Sequence, residues 1–307
     1  MGLKLIKVPK QKPPLFAADE KHPSYRYINE LKQNPLDANV HFDYAKNASK
    51  NKKSYLAFAE LKTAEYLGLE NESVDDLLAE FMGYLPNLSA MNHNQYYRYH
   101  SLASEIMERA GVKKKKSVLD VGGGQGMLAS FIPNAFYCLA EPLVNGISGT
   151  NLPFEDASFD YVVSCHVYEH IPQHERKLFL DQMIKKARLG VFLLNPFEVK
   201  GVYSDESLEL ILENIGSSWA REHLECSLPQ IEQIKEYALK NDLNITIKSN
   251  GSHVASTAFV FLDYFAHRSG NWPVWQEINK FFNEKYNNIM SSEEYPAAYL
   301  IYLEKKY

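Results

Sequence analysis

The stretch SVLDVGGGQGML, Ser117 to Leu128, is the part of this chain best suited to hold a ligand against bare main chain. An apolar run carries an acidic residue, Asp120, near its end, and Gly122, Gly124 and Gly126 follow at alternate positions before a predicted helix. Glycines at this spacing let the backbone turn sharply and let a ligand touch it, because any Cβ would block the approach. A pyrophosphate is seated by GxGxxG at a helix N-terminus, whereas GxGxG behind a carboxylate repels phosphate and suits a cationic ligand. A purely structural turn is the competing reading. About twenty residues after Asp120, the run Ala135 to Ala140 ends in Glu141, where a carboxylate can accept both hydroxyls of a ribose; a solvated strand end is the alternative there.

Two imidazoles come next. In GTNLPFEDASFDYVVSCHVYEHIP, Gly149 to Pro172, an apolar run ends at Cys165-His166 and Glu169-His170 follow. A positioned base contributes roughly 10²–10⁴-fold to a reaction that must lose a proton, so His166 and His170 are the candidate catalytic residues, against a packing or capping role for each. Glu169 could orient a histidine; HVYEH offers no second carboxylate, so no metal is expected. Further on, SSWAREHLECSLPQIEQIKEYA concentrates Trp219, Arg221, Glu222, His223, Glu225 and Cys226 before an amphipathic helix. Trp219, Arg221 and His223 are the candidate substrate contacts, with a solvated capping loop as the plain alternative. Cys226, His223 and Glu222 share one local segment without an oxyanion-forming turn, which argues against a hydrolase. The three cysteines show neither CxxC nor zinc-ligand spacing and read as reduced thiols.

The elements around these residues define an α/β fold. SVLDV, AFYCLAE, YVVSC and GVFLLN are short buried-type runs without strict polar alternation, the mark of parallel strands covered by helices on both faces. Leu243 to Lys248 and Ala298 to Leu303 add strands, separated by an aromatic-rich helical insertion at about 250–295. Upstream, residues 1 to about 36 read as a Lys- and Pro-rich arm ending in a short helix near Tyr25 to Lys32. Ala45, Ala48, Ala57, Leu61 and Ala64 then recur at helical spacing as an αα-hairpin. Its small residues resemble one tetratricopeptide repeat; a single copy is too few for a solenoid, so docking onto the main domain is expected. Helices are predicted over Ser73 to Met82 and Tyr96 to Ala110, the latter stopped by Gly111. The boundary falls at 93/94: an N-terminal arm and helical extension over 1–93, and the main domain over 94–307.

VLDVGGGQG together with LPFEDASFDYVVSCHVYEHIP resembles the class I S-adenosylmethionine-dependent methyltransferases, particularly their type-11 branch, over roughly residues 94–197. The resemblance implies a Rossmann-like, seven-stranded, mostly parallel sheet. It implies that Asp120, Gly122, Gly124 and Gly126 line the methionine moiety, Glu141 the ribose, and Ser148, Gly149 and Thr150 the adenine, with Cys165 at the strand end beside the cofactor. The adenine position departs from the family's usual Asp followed by a small apolar residue. Arg98, among Tyr96, Tyr97 and Tyr99, would pair with the methionine carboxylate. The link Pro142 to Gly149 is short enough that the second crossover helix is reduced to a turn. Ser217 to Ala238 resembles methyltransferases associated with bacterial surface-glycan assembly, so the expected activity is O-methylation of a small-molecule or glycan-type acceptor by in-line methyl transfer. A non-catalytic scaffold docking through its N-terminal helices and an NAD(P)-dependent oxidoreductase are the alternatives; the pyrophosphate fingerprint that the latter needs is missing.

Composition narrows the partners. A formal charge of -5 disfavours electrostatic binding to nucleic acid, and Lys113 to Lys116 reads as a solvated run. No window approaches the roughly 18 consecutive apolar residues of a membrane span. Lys and Pro interrupt the N-terminus where a signal peptide needs an apolar core, and Ile6 stands where myristoylation wants Ser or Thr. A cytoplasmic location is expected.

Overall fold

The computed structural model describes residues 24–70, 72–111, 115–199, 203–285 and 292–306 of the 307. Residues 1–23, most of the expected arm, and Lys113 and Lys114 of the cationic run lie outside the described residues.

The first helices pack as a layer. α1 (Tyr25–Gln33) buries Ile28 and Leu31. α2 (Ala38–Lys50) starts where the Asp37 carboxylate accepts from the N–H groups of Asn39 and Val40, satisfying donors that the first turn leaves free. α3 (Ser54–Tyr66) is buried from Leu56 to Ala64 without a break, which suits a helix covered on all sides. α4 (Glu72–Met82) and α5 (His93–Ala110) follow, and α5 stops at Gly111 with φ 67°. α2 and α3 form the expected hairpin, and its inner helix is consumed by docking. The Thr63 hydroxyl of α3 accepts from the Leu139 N–H at 3.0 Å and donates to the Ala59 carbonyl. Buried Glu60 accepts from His41 of α2 at 2.5 Å and from Asn145 at 3.2 Å.

The sheet has order β2-β1-β3-β4-β6-β5. β1 (Ser117–Val121), β2 (Phe136–Ala140), β3 (Phe159–Cys165) and β4 (Ala187–Asn195) are parallel, while β6 (Ala298–Lys305) runs antiparallel between β4 and β5 (Leu243–Asn250). β1 and β3 are buried at every position, and successive side chains go to opposite faces. Val118, Tyr137, Leu139 and Val163 join α1 to α5 in one core; Leu119, Val121, Ala140 and Val162 join α6 (Arg176–Lys186) and α9 (Ile231–Lys240) in the other. The N-terminal helices are therefore one of the two helical covers of the sheet. β5, at the edge, alternates half-buried and exposed positions.

The fold class matches the sequence reading, with two differences in detail. The described residues form six strands rather than seven. Between β2 and β3 the chain holds turns and one isolated bridge, Ser148 with Asn151, where the short link leaves no room for a further strand and its helix. The glycine loop leads into a 3-10 turn, Met127–Phe131, rather than a full helix. Ile132 precedes Pro133, which disfavours continuing the helix, and α3 already covers β2. Gly126 fits beneath α3 because a Cβ there would lie 2.1 Å from the Ala59 Cβ.

α7 (Asp205–Ile215) and α8 (Ser218–Cys226) join β4 to α9 and, with α10 (His253–Ser269), form a third apolar cluster. α10 and α11 (Trp272–Lys285) lie between β5 and β6, as expected for the insertion. No helix among the described residues is long and apolar enough to cross a membrane.

Candidate active site

β1 is flanked by β2 and β3, so the chain order reverses there, and a crevice opens outside the carboxyl ends of the strands. Asp120 ends β1's inward row, fully buried; Tyr137 of β2 donates to its Oδ2 at 2.8 Å, while its Oδ1 has no hydrogen-bond partner. Burial, with a contribution from Glu141, lifts the Asp120 carboxyl to about 7 even though the Tyr137 bond pulls it down. Gly122 lies under the Val167 side chain, whereas Gly124, at φ 55°, has nothing within 4 Å of where a Cβ would stand. Gly124 is therefore the bare point of the loop. Its N–H donates to Glu141 Oε2 at 3.1 Å, and Glu141 Oε1 accepts from the Leu143 N–H at 3.2 Å. Burial pushes the Glu141 carboxyl up, against those two bonds.

Glu141 is held from behind by the N-terminal layer. Its own N–H donates to Asn145 Oδ1, and the Asn145 amide donates to Glu60 of α3 and to the Leu139 carbonyl. Ser148, Gly149 and Thr150 form the bridged turn; Ser148 and Thr150 hydroxyls lie 3.0 Å apart, and a Cβ on Gly149 would meet Phe179 and the Val121 side chain. The turn thus sits against the end of β1. Cys165, the last residue of β3, is buried, which pushes its thiol up and leaves it un-ionised.

Past β3 the chain turns sharply at His166, whose φ of 56° is left-handed; this costs a non-glycine residue about 1–2 kcal/mol. His166 Nδ1 stands 3.2 Å from Glu169 Oε1, and its Nε2 has no partner. Burial, then the nearby Arg98 charge, lowers His166 to about 4. Burial works against the Glu169 charge, yet His166 beside it and the other neighbouring imidazoles hold it at about 2. A neutral imidazole beside an ionised carboxylate is the consistent state. Asn195, at the end of β4, donates to Glu169 Oε2 at 2.5 Å.

His170, the second candidate base, has both ring nitrogens engaged: Nδ1 with Glu222 Oε2 at 2.9 Å and Nε2 with His223 Nε2 at 3.1 Å. Tyr203 lies 2.9 Å from His223 Nδ1, and burial lowers His223 to about 3.

A cavity of about 990 Å³ opens on these groups. Its wall includes Arg98, His166, Glu169, Trp219, His223 and Tyr264. Arg98 pairs with no carboxylate among the described residues. The glycine loop and Glu141 do not line the cavity; His166, followed by Val167 over Gly122, is where the two spaces adjoin. Of the three candidate substrate contacts, Trp219 and His223 face the cavity. Arg221 does not: it is exposed on α8, where positions two apart point to different sides. Tyr203 and Trp275, also on the cavity wall, and Asn195, which holds Glu169 from behind, were not singled out from the sequence for these roles. Trp275 was visible only as one of several aromatics in the insertion, and only its placement on the cavity wall distinguishes it.

The profile of a family described as a methyltransferase domain matches residues 91–248, more than half of the chain. The chain belongs to this methyltransferase family. Among solved structures it is similar to a protein of Galdieria sulphuraria provisionally described as a sarcosine dimethylglycine methyltransferase, at 14% identity over 76% of this chain and 98% of that one, with a TM-score of 0.45. It is also similar to phosphoethanolamine N-methyltransferase 2 of Haemonchus contortus, at 13% identity over 73% of this chain and 60% of that one, TM-score 0.43. No curated protein sequence matches.

Proposed function

We propose that the protein methylates a hydroxyl of a small-molecule or glycan-type acceptor, with S-adenosylmethionine as donor. The observation that carries this reading is the adjacency of two spaces at His166: the bare Gly124 loop between Asp120 and Glu141 on one side, and the cavity on the other. The residues suit the cofactor. Asp120 Oδ1 is buried and unpartnered beside the loop, which favours a cation; Glu141 would accept from the ribose hydroxyls, and Arg98, which pairs with no carboxylate among the described residues, would take the methionine carboxylate. When bound, the cofactor supplies a methyl group made electrophilic by its sulfonium.

The chain's own contribution is orientation and one proton. Holding a nucleophile in line supplies roughly 7–11 kcal/mol in favourable cases. Trp219, Tyr264 and Trp275 give the cavity flat apolar faces suited to a sugar or other ring. His166 receives the acceptor's proton at Nε2, and the Glu169 carboxylate, 3.2 Å from Nδ1, stabilises the imidazolium that forms. Both nitrogens of His170 are taken, so His170 is assigned a supporting place.

Titration calorimetry with S-adenosylmethionine tests this directly. Binding is expected in the micromolar range, weakened about 10–100-fold by Glu141→Ala through loss of charge-assisted hydrogen bonds. No binding at millimolar concentration would overturn the proposal, and an unchanged Glu141→Ala would displace the ribose. Transfer to hydroxyl-bearing sugars, with amine acceptors inert, tests the acceptor class.

A further inference from the structure

We infer that Glu169, His170 and His223 form a binding site for a single borderline divalent cation, of the zinc or iron(II) kind, on the wall of the cavity. Glu169 Oε1 and one nitrogen of each imidazole lie within 4.8 Å of one another. The His170 and His223 Nε2 atoms are 3.1 Å apart, and His223 Nε2 is 3.8 Å from Glu169 Oε1. Ligands of one cation bound at about 2.0–2.2 Å stand roughly 3–3.5 Å from each other, so two of these separations need little or no adjustment.

The atoms behind the three donors are already committed. His170 Nδ1 is tied to the Glu222 carboxylate, His223 Nδ1 to the Tyr203 hydroxyl, and Glu169 Oε2 to the Asn195 amide. Each candidate ligand is thus oriented through its far atom by an outer partner, the arrangement that fixes tautomer and direction in metal sites. With Nδ1–H of His170 given to Glu222, its Nε2 carries a lone pair aimed at the other imidazole.

A metal-free account exists, in which Tyr203 donates to His223, His223 donates to His170, and His170 donates to Glu222. It satisfies the imidazoles but leaves Glu169 Oε1 buried without a hydrogen bond, on a side chain with no exposed surface. A buried ionised oxygen in that position is costly. A cation meets that need and the facing lone pairs together. Two imidazoles and one carboxylate favour zinc or iron over magnesium, calcium and manganese, which prefer oxygen ligands. Glu169 and His170 are neighbours in HVYEH, but His223 comes from a distant part of the chain, which is why that segment alone pointed to no metal.

In its consequence for catalysis this inference rests on the proposed function. All three ligands line the cavity, so the cation's remaining positions face the acceptor and would make its hydroxyl more acidic. The acceptor oxygen then gives its proton to His166 Nε2 and bonds to the methyl carbon. The methyl–sulfur bond breaks, and S-adenosylhomocysteine leaves as a neutral thioether.

The test is titration of full-length, chelator-treated protein with zinc and with magnesium, followed by cobalt(II) loading read in the visible spectrum. One zinc per chain is expected, at micromolar affinity or tighter, with no saturable magnesium binding and a cobalt band from nitrogen and oxygen ligands. Glu169→Gln and His223→Gln should each weaken zinc by about a hundredfold, and Glu222→Gln by about tenfold. Absence of stoichiometric zinc binding to the wild type overturns the site, whatever the variants do. So does zinc binding that persists unchanged in His223→Gln, which would place it on surface imidazoles. Zinc binding without S-adenosylmethionine binding keeps the site and removes the proposed function; full methyl transfer in excess chelator keeps the function and overturns the cation's part in the reaction.

Discussion

The two halves of the crevice are built on different terms. On the β1–β2 side nearly every polar group is matched: Tyr137 with Asp120, Gly124 and Leu143 with Glu141, Asn145 with Glu60, Thr63 with Leu139. Asp120 Oδ1 is the exception there. On the β3–β4 side His166 Nε2, Glu169 Oε1, Asn195 Oδ1 and Ser217 Oγ are all buried without partners, around a large cavity. The first half is finished as it stands, and the second is shaped for groups that arrive from outside. A donor of constant chemistry rewards a rigid holder, whereas an acceptor and its activation require unsatisfied atoms kept dry until use.

Removing the proposed base tests the unfinished half and should give the largest effect. His166→Ala is expected to lower kcat about 10²–10⁴-fold while S-adenosylmethionine affinity, by calorimetry, changes less than about threefold. Equal losses in both would mean that His166 holds the donor and that the halves are not separable.

The next test probes the one unmatched atom of the finished half. Asp120, lifted to about 7 by burial, keeps its proton in the folded state to higher pH than in the unfolded chain. Its contribution to stability is therefore full below the unfolded value near 3.8 and is lost as pH rises to about 7. Wild type should lose about 1.4 kcal/mol per pH unit relative to Asp120→Asn between about pH 4 and 7, then level off. Denaturant unfolding of both proteins measures this, and parallel curves would refute it. Ionisation of Asp120 should also favour the cationic donor, so the preference for S-adenosylmethionine over uncharged-sulfur S-adenosylhomocysteine should rise from pH 6 to 8.

The smallest expected effect concerns the hairpin. Gly126→Ala places a Cβ against Ala59 at a left-handed φ of 70° and should cost about 3 kcal/mol by urea unfolding, combining overpacking and backbone strain. A cost under about 1 kcal/mol would show that α3 yields easily and is not an integral cover of the sheet.

The finished half was the more legible in sequence. Asp120, the alternate glycines and Glu141 lie within one strand–loop–strand unit, so local spacing carries the geometry. His166 could be read because it follows an apolar run directly. His223, Tyr203 and Asn195 reach Glu169 and His170 from other elements, and no local pattern reports such a meeting. Arg221 was placed in the cavity by proximity in sequence to His223, but α8 turns it outward. The count of seven strands followed the family pattern, whereas the stretch from Glu141 to Ser158 is too short to supply the extra one. The hairpin was expected to dock, and its role as a full cover became visible only once Val118, Tyr137 and Leu139 shared a core with α1 to α5.

β5 and β6 are antiparallel neighbours, paired from Leu243 with Lys305 to Asn250 with Ala298, and α10 and α11 are carried on the connection between them. Both ends of that insertion leave from adjacent points of one ladder. It can lengthen, shorten or be exchanged without shifting any strand's register, so one wall of the cavity can be replaced while the glycine loop stays untouched.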